Sequence, residues 1–182
     1  MRKTDARVRY TKRAVKEAFL SLLREKPINK ITVKEVCGLA EINRATFYSH
    51  YSDCYALMDS IEQELLGAFT QALGLLRGFD SGMLIEAIYR MVEHNENACR
   101  VLIFGGASPY ILPKMIEAAR APGLALWKKQ LPRATDAELE MLYTHLSNGL
   151  MHVVVEGFYK YTREEVVSFV ERACKGTLEL FK

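Results

Sequence analysis

Between residues 43 and 51 the chain reads Asn43-Arg44-Ala45-Thr46-Phe47-Tyr48-Ser49-His50-Tyr51, which sets a guanidinium, a hydroxyl beside a methyl, a phenol and an imidazole within seven positions. If the stretch is helical, Phe47 and Tyr51 lie four apart and face inward. Arg44, Ala45, Thr46, Tyr48 and His50 are then left at the N-terminal end and on the outer face. Arg44 can offer a bidentate fork to guanine, and Thr46 a methyl to thymine or a hydroxyl to a base or phosphate. Tyr48 and His50 suit phosphate oxygens, which fix register without carrying sequence information. Catalytic chemistry has no comparable signal: there is no ordered Ser-His-Asp set, phosphate-binding Gly loop or carboxylate pair with a reason to be adjacent.

Two short helices joined by a tight turn would position these groups. Thr32 and Glu35 have capping-box spacing, and Val33, Val36, Cys37 and Ala40 fall at i, i+3, i+4 and i+7, one apolar stripe on a short helix. The break Glu41-Ile42-Asn43 follows, with Ile42 placed to plug the angle between two helices and Asn43 a good N-cap for the next. A new helix therefore starts near Arg44. Helix-turn-helix readers place the N-terminal residues of such a second helix against base edges in the major groove.

From Thr32-Val33-Lys34-Glu35-Val36 through Ala40-Glu41-Ile42-Asn43-Arg44-Ala45-Thr46-Phe47-Tyr48-Ser49-His50-Tyr51-Ser52-Asp53, the chain resembles the TetR family of transcriptional regulators (TetR/AcrR type). The resemblance implies that Arg44, Ala45 and Thr46 approach bases and that Tyr48 and His50 meet the backbone. It also adds Thr32, Lys34, Ser49 and Lys12 to the DNA-facing set. Two positions depart from the family pattern. Glu41 stands in the turn where Gly is common, and a left-handed backbone there suits Glu less well. Cys54 stands where Lys is common just after the second helix, which removes one customary cation.

The 182 residues are 49% hydrophobic and 26% charged, ordinary for a globular chain, and long enough for a small domain plus a larger one. The net charge of +3 conceals an asymmetry. Residues 1–50 carry 12 Lys+Arg against 5 Asp+Glu, and the remainder is net acidic. Such clustering is the electrostatic footprint of a nucleic-acid module. No run approaches the roughly 18 apolar residues of a membrane span, and no signal-peptide core follows the N-terminus, so a cytoplasmic location is expected. Cys37, Cys54, Cys99 and Cys174 show no metal-ligand spacing, and neither metal nor cofactor is implied. Cys37 and Cys174 sit on apolar stripes. Cys54 lies near an expected helix N-terminus beside a basic surface, surroundings that lower a thiol pKa, which makes it a candidate redox sensor.

The expected fold is all-α, with about nine helices in two domains: residues 1–51, a three-helix DNA-binding domain, and residues 52–182, a larger helical effector-binding and dimerisation domain. Residues 1–9 read as a loose basic arm and residues 11–25 as the first helix, with Val15, Phe19, Leu22 and Leu23 inward and Lys12, Arg13 and Lys16 outside. A long helix over residues 53–76, capped by Ser52 or Asp53, carries Met58, Ile61, Leu65, Phe69, Ala72 and Leu76 on one face, and Gly74 and Gly78 mark its end. Helices over 81–93 and 95–104 precede the break Gly105-Gly106-Ala107-Ser108-Pro109, beyond which Pro113 demands a kink or a later start. Ala121-Pro122-Gly123 and Leu131-Pro132 bracket the segment holding Trp127. Two further capping boxes, Thr135 with Glu138 and Thr162 with Glu165, open the last two helices.

The family resemblance implies that those last helices pair with their symmetry mates in a homodimer, through Leu142, Leu146, Leu150, Val153, Phe169, Val170 and Ala173. It also implies a palindromic DNA operator and an unidentified small-molecule effector. The aromatic and imidazole residues Tyr89, Phe104, Tyr110, Trp127, His145 and His152 are the candidate effector contacts. The resulting expectation is a transcriptional repressor that is not an enzyme. An activator acting through a protein partner stays open, as does a helical protein-interaction module without sequence-specific DNA binding.

Overall fold

A computed structural model describes residues 3–74 and 81–182, with side chains from Ala6 onward. Helix α1 spans Lys3–Glu25, α2 Val33–Leu39, α3 Arg44–Tyr48, α4 Cys54–Gly74, α5 Ser81–His94 and α6 Glu96–Cys99. Beyond a π-helical turn at Arg100–Phe104 come α7 Ile111–Gln130, α8 Asp136–Gly157 and α9 Arg163–Glu179. Among the described residues there is no strand, and no helix is long and apolar enough to cross a membrane.

The chain divides into two compact units. One gathers the residues up to Leu65 with Asn97–Ser108; the other gathers Leu66–Glu96 with Pro109–Lys182. In the first, α1, α2, α3 and the start of α4 close over Val15, Phe19, Leu20, Val36, Phe47 and Leu57, none of which retains solvent exposure. The inserted segment completes this core with Ala98, Val101 and Leu102. It is fastened by polar bonds as well: Arg24 donates to Asn97 Oδ1, Asn97 Nδ2 donates to Glu17, and Ser108 Oγ donates to the buried Glu62 carboxylate at 2.6 Å. The π-helical turn closes through Gly105 N–H on the Arg100 carbonyl at 2.9 Å. A Cβ at Gly105 would fall 2.8 Å from the Val101 carbonyl oxygen, so the chain passes there only as glycine.

In the second unit α5 packs on α9 and α7 on α8. Trp127, Leu131, Leu139, Leu142 and Tyr143 form one buried cluster. All three expected capping boxes are present, each Thr hydroxyl accepting from the N–H three residues on while the Glu reaches back to the Thr N–H.

Two segments differ from expectation, and a third lies where it is not tested. The basic arm over residues 1–9 is helical from Lys3, because Ala6, Val8 and the long charged side chains offer no helix breaker before Thr11. The expected end of α4 at Leu76 and Gly78 lies outside the described residues. Finally, Ala121-Pro122-Gly123 does not interrupt α7, which continues to Gln130. Pro122 removes one backbone donor, but packing against α8 holds the helix on, with Gly123 only 3.1 Å, at its would-be Cβ, from the Tyr143 ring.

Candidate nucleic-acid interface and internal cavity

The turn between α2 and α3 follows from four backbone choices. The Thr32 hydroxyl accepts from Glu35 N–H at 3.3 Å, and Glu35 Oε2 accepts from both the Thr32 N–H and its hydroxyl. Glu35 Oε1 accepts from Lys26 Nζ at 2.5 Å, which pins the exit of α1 to the entry of α2. The bond from Lys26, joined by those from Thr32, lowers the Glu35 carboxyl from 4.5 to about 2. At the other end of α2, Ile42 N–H bonds the Cys37 carbonyl at 3.0 Å and Glu41 N–H the Gly38 carbonyl at 3.4 Å, a Schellman stop. Its left-handed position falls on Glu41, with φ +53°. Asn43 then caps α3, its side-chain oxygen accepting from Thr46 N–H at 2.7 Å.

This frame sorts the side chains. Phe47 is fully buried and Tyr51 is 8% exposed, both in the core of the first unit. Arg44, Ala45, Tyr48 and Ser49 are exposed, as are Lys12, Thr32 and Lys34, while Thr46 and His50 are half-buried. Thr32 and Ser49 already direct their hydroxyl protons inward, Thr32 to Glu35 and Ser49 to the Thr46 carbonyl at 2.7 Å. Of the expected set, Arg44, Tyr48, Lys34 and Lys12 therefore present charged or hydroxyl donors to solvent.

Cys54 departs from expectation. It is 6% exposed, and burial, aided by the neighbouring Asp53 charge, raises its thiol pKa rather than lowering it. The reason is geometric: Asp53, which accepts from Ala56 N–H at 2.8 Å, occupies the helix cap, and Cys54 turns into the apolar core. A redox-sensor reading of Cys54 is thereby withdrawn.

The second unit holds a cavity of about 310 Å³ between α4, α5, α7, α8 and α9, walled by Phe69, Ile88, Met115, Leu126, Leu150 and Met151 among others. Of the six expected effector contacts, Trp127 alone lines it. Tyr89 is buried elsewhere, stacked on Phe158 at 5.3 Å with the Arg163 guanidinium 5.2 Å from its ring centre. Tyr110 is 67% exposed, and His145 and His152 point to solvent, His152 bonded through Nδ1 to the Asn148 carbonyl. Phe104 belongs to the π-helical turn of the first unit. The wall residues that sequence reasoning missed are aliphatic, and nothing in their spacing separates a cavity wall from a packed core.

The residues expected at a dimer interface also divide. Leu142 and Val170 are buried within the chain, at 5% and 3% exposure, leaving no surface for a partner. The apolar stripe of α8 is used against α7, where Leu142 joins the Trp127 cluster. Leu146 and Leu150 line the cavity and Val153 is half-buried, whereas Phe169 and Ala173 are exposed on α9.

An all-helical chain with a helix-turn-helix in one unit and a cavity in the other is a recognised architecture. A TetR transcriptional regulator from Streptococcus agalactiae 2603V superposes with a TM-score of 0.70 at 24% identity, over 94% of this chain and 97% of that one. A candidate transcriptional regulator from Pseudomonas aeruginosa PAO1 superposes with a TM-score of 0.63 at 17% identity, over 94% and 93%. In sequence, the chain is 32% identical over 59 residues to YxbF, an uncharacterised helix-turn-helix-type transcriptional regulator of Bacillus subtilis strain 168; the match spans 32% of this chain and 16% of that protein. No protein-family profile matches. The fold is that of the TetR regulators, the family that residues 32–53 resemble.

Proposed function

We propose that the chain is a DNA-binding transcriptional repressor, acting as a homodimer on a two-fold operator and released by a small molecule in the cavity of its second unit. The observation that carries this reading is the sidedness of α3. The Schellman stop at Glu41 and the cap at Asn43 fix its entry, Phe47 anchors it, and Arg44, Ala45, Tyr48 and Ser49 are all exposed. The excess of basic residues before His50 supplies the sequence-independent attraction. Phe169, Ala173 and Met141, exposed on α8 and α9, are the apolar groups available to a second copy. Two such subunits would read half-sites roughly 34 Å apart. The effector acts by binding the DNA-released state more tightly than the DNA-competent one, and only that difference can shift the equilibrium.

Selection of genomic fragments with the purified protein tests the reading. Enrichment of an inverted-repeat sequence, with affinity falling steeply as salt rises, is expected. Recovery of no enriched sequence would overturn it, as would a monomeric mass at micromolar concentration for the dimer.

A further inference from the structure

The cavity wall dictates the charge class of what it holds. Its surface is overwhelmingly aliphatic and aromatic, and among the described residues no carboxylate lines it. The titratable groups along the inner wall are neutral: burial pushes the Tyr143 phenol up to about 12 and raises the Cys174 thiol. Tyr143 OH is already committed to the Ile116 carbonyl at 2.5 Å. Lys129, the one charged lining residue among the described residues, is solvent-exposed and so belongs to the mouth. Against this dry wall, Ser147 Oγ is buried and makes no hydrogen bond. A buried hydroxyl without a partner is costly, and an occupant bearing an acceptor would satisfy it.

We infer that the cavity takes an uncharged, largely apolar small molecule, of a volume near 310 Å³ or less, with one carbonyl or hydroxyl oxygen set against Ser147. This rests on the effector reading proposed above and names its ligand class. A cation would enter without a counter-charge, and an anion could reach Lys129 only by leaving its charge at the mouth, so either loses hydration without replacement along the wall.

Trp127 is the only tryptophan in the chain and lines the cavity, so its fluorescence reports occupancy directly. The probe is prodan, an uncharged aryl ketone that accepts energy from tryptophan. Saturable one-to-one quenching of Trp127 with blue-shifted prodan emission is expected, weakened about five- to tenfold in Ser147→Ala. Two cavity-filling variants, Ala119→Phe and Leu150→Phe, should each abolish quenching while retaining the helical circular dichroism of the parent. Displacement of prodan by 1-naphthalenemethanol should be at least about tenfold stronger than by 1-naphthylmethylammonium or 1-naphthoate.

Equal displacement by the ammonium, preferential displacement by the carboxylate, absence of quenching, or quenching that survives both filled variants would each overturn the inference. Fragment selection separates the two readings. Enriched DNA without prodan binding removes only the ligand class, and prodan binding without enriched DNA removes the regulator while the ligand class stands.

Discussion

Lys26 and Glu35 are joined across 2.5 Å, and through that bond the end of the first helix is tied to the cap of the second. The same carboxylate closes the Thr32 capping box, so one side chain serves both the inter-helix tie and the helix start. A carboxyl whose folded pKa is lowered stabilises the fold above its unfolded pKa and loses that contribution as pH falls through the folded one. With Glu35 lowered from 4.5 to about 2, the window runs between those values. Glu35→Gln should lower the melting temperature at pH 7, and the gap to the parent should narrow as pH is taken from 4.5 toward 2. A gap of constant size across that range would assign the effect to something other than the carboxylate charge.

Glu41 holds a left-handed backbone at φ +53°, a conformation that costs an L-residue about 1–2 kcal/mol and glycine little. Glu41→Gly should therefore raise the urea midpoint, by a gain of about 1 kcal/mol after the entropy of the freer unfolded chain is offset. The slope of the unfolding transition should not change.

The proposed reading gives Thr46 a part in specificity and Lys12 a part in attraction. In the proposed complex Thr46→Ala should change which bases are preferred at its half-site position, at a cost of about 1–3 kcal/mol for the parent operator. Lys12→Ala should weaken binding to all sequences alike and shallow the salt dependence by about one unit of slope. Binding isotherms on operator and scrambled DNA at several salt concentrations distinguish the two behaviours.

Phe47 is wholly enclosed between α1, α2 and α4, so Phe47→Ala should cost about 3–5 kcal/mol. Chemical denaturation would show the loss.

Cys54, buried and with a raised thiol pKa, should react with a thiol reagent such as iodoacetamide far more slowly in the folded protein than in urea. Rapid labelling of Cys54 in native buffer, located by peptide mapping, would contradict its enclosure.

What could be read from the sequence was local. The pairs Thr32 and Glu35, Thr135 and Glu138, and Thr162 and Glu165 each declare a helix start because the bonds span three residues, and Asn43 declares the cap of α3 for the same reason. Pro122 misled because a proline's missing donor is a local fact, whereas the packing of α7 on α8 that overrides it is not. Leu146 and Leu150 carried a spacing that fits an interface, a core or a cavity wall equally well, and only the positions of α5, α7 and α9 decide between them. Tyr89 looked like a ligand contact by its type, yet it is enclosed by Phe158 and Arg163, both far along the chain from it.

Because Ala98, Val101 and Leu102 belong to the core of the first unit, that core is not contiguous in sequence. During synthesis the helix-turn-helix must wait for more than thirty intervening residues to leave the ribosome before its apolar surface can be fully covered. A fragment cut at Leu65 would carry the whole helix-turn-helix and still lack the segment that closes its own interior.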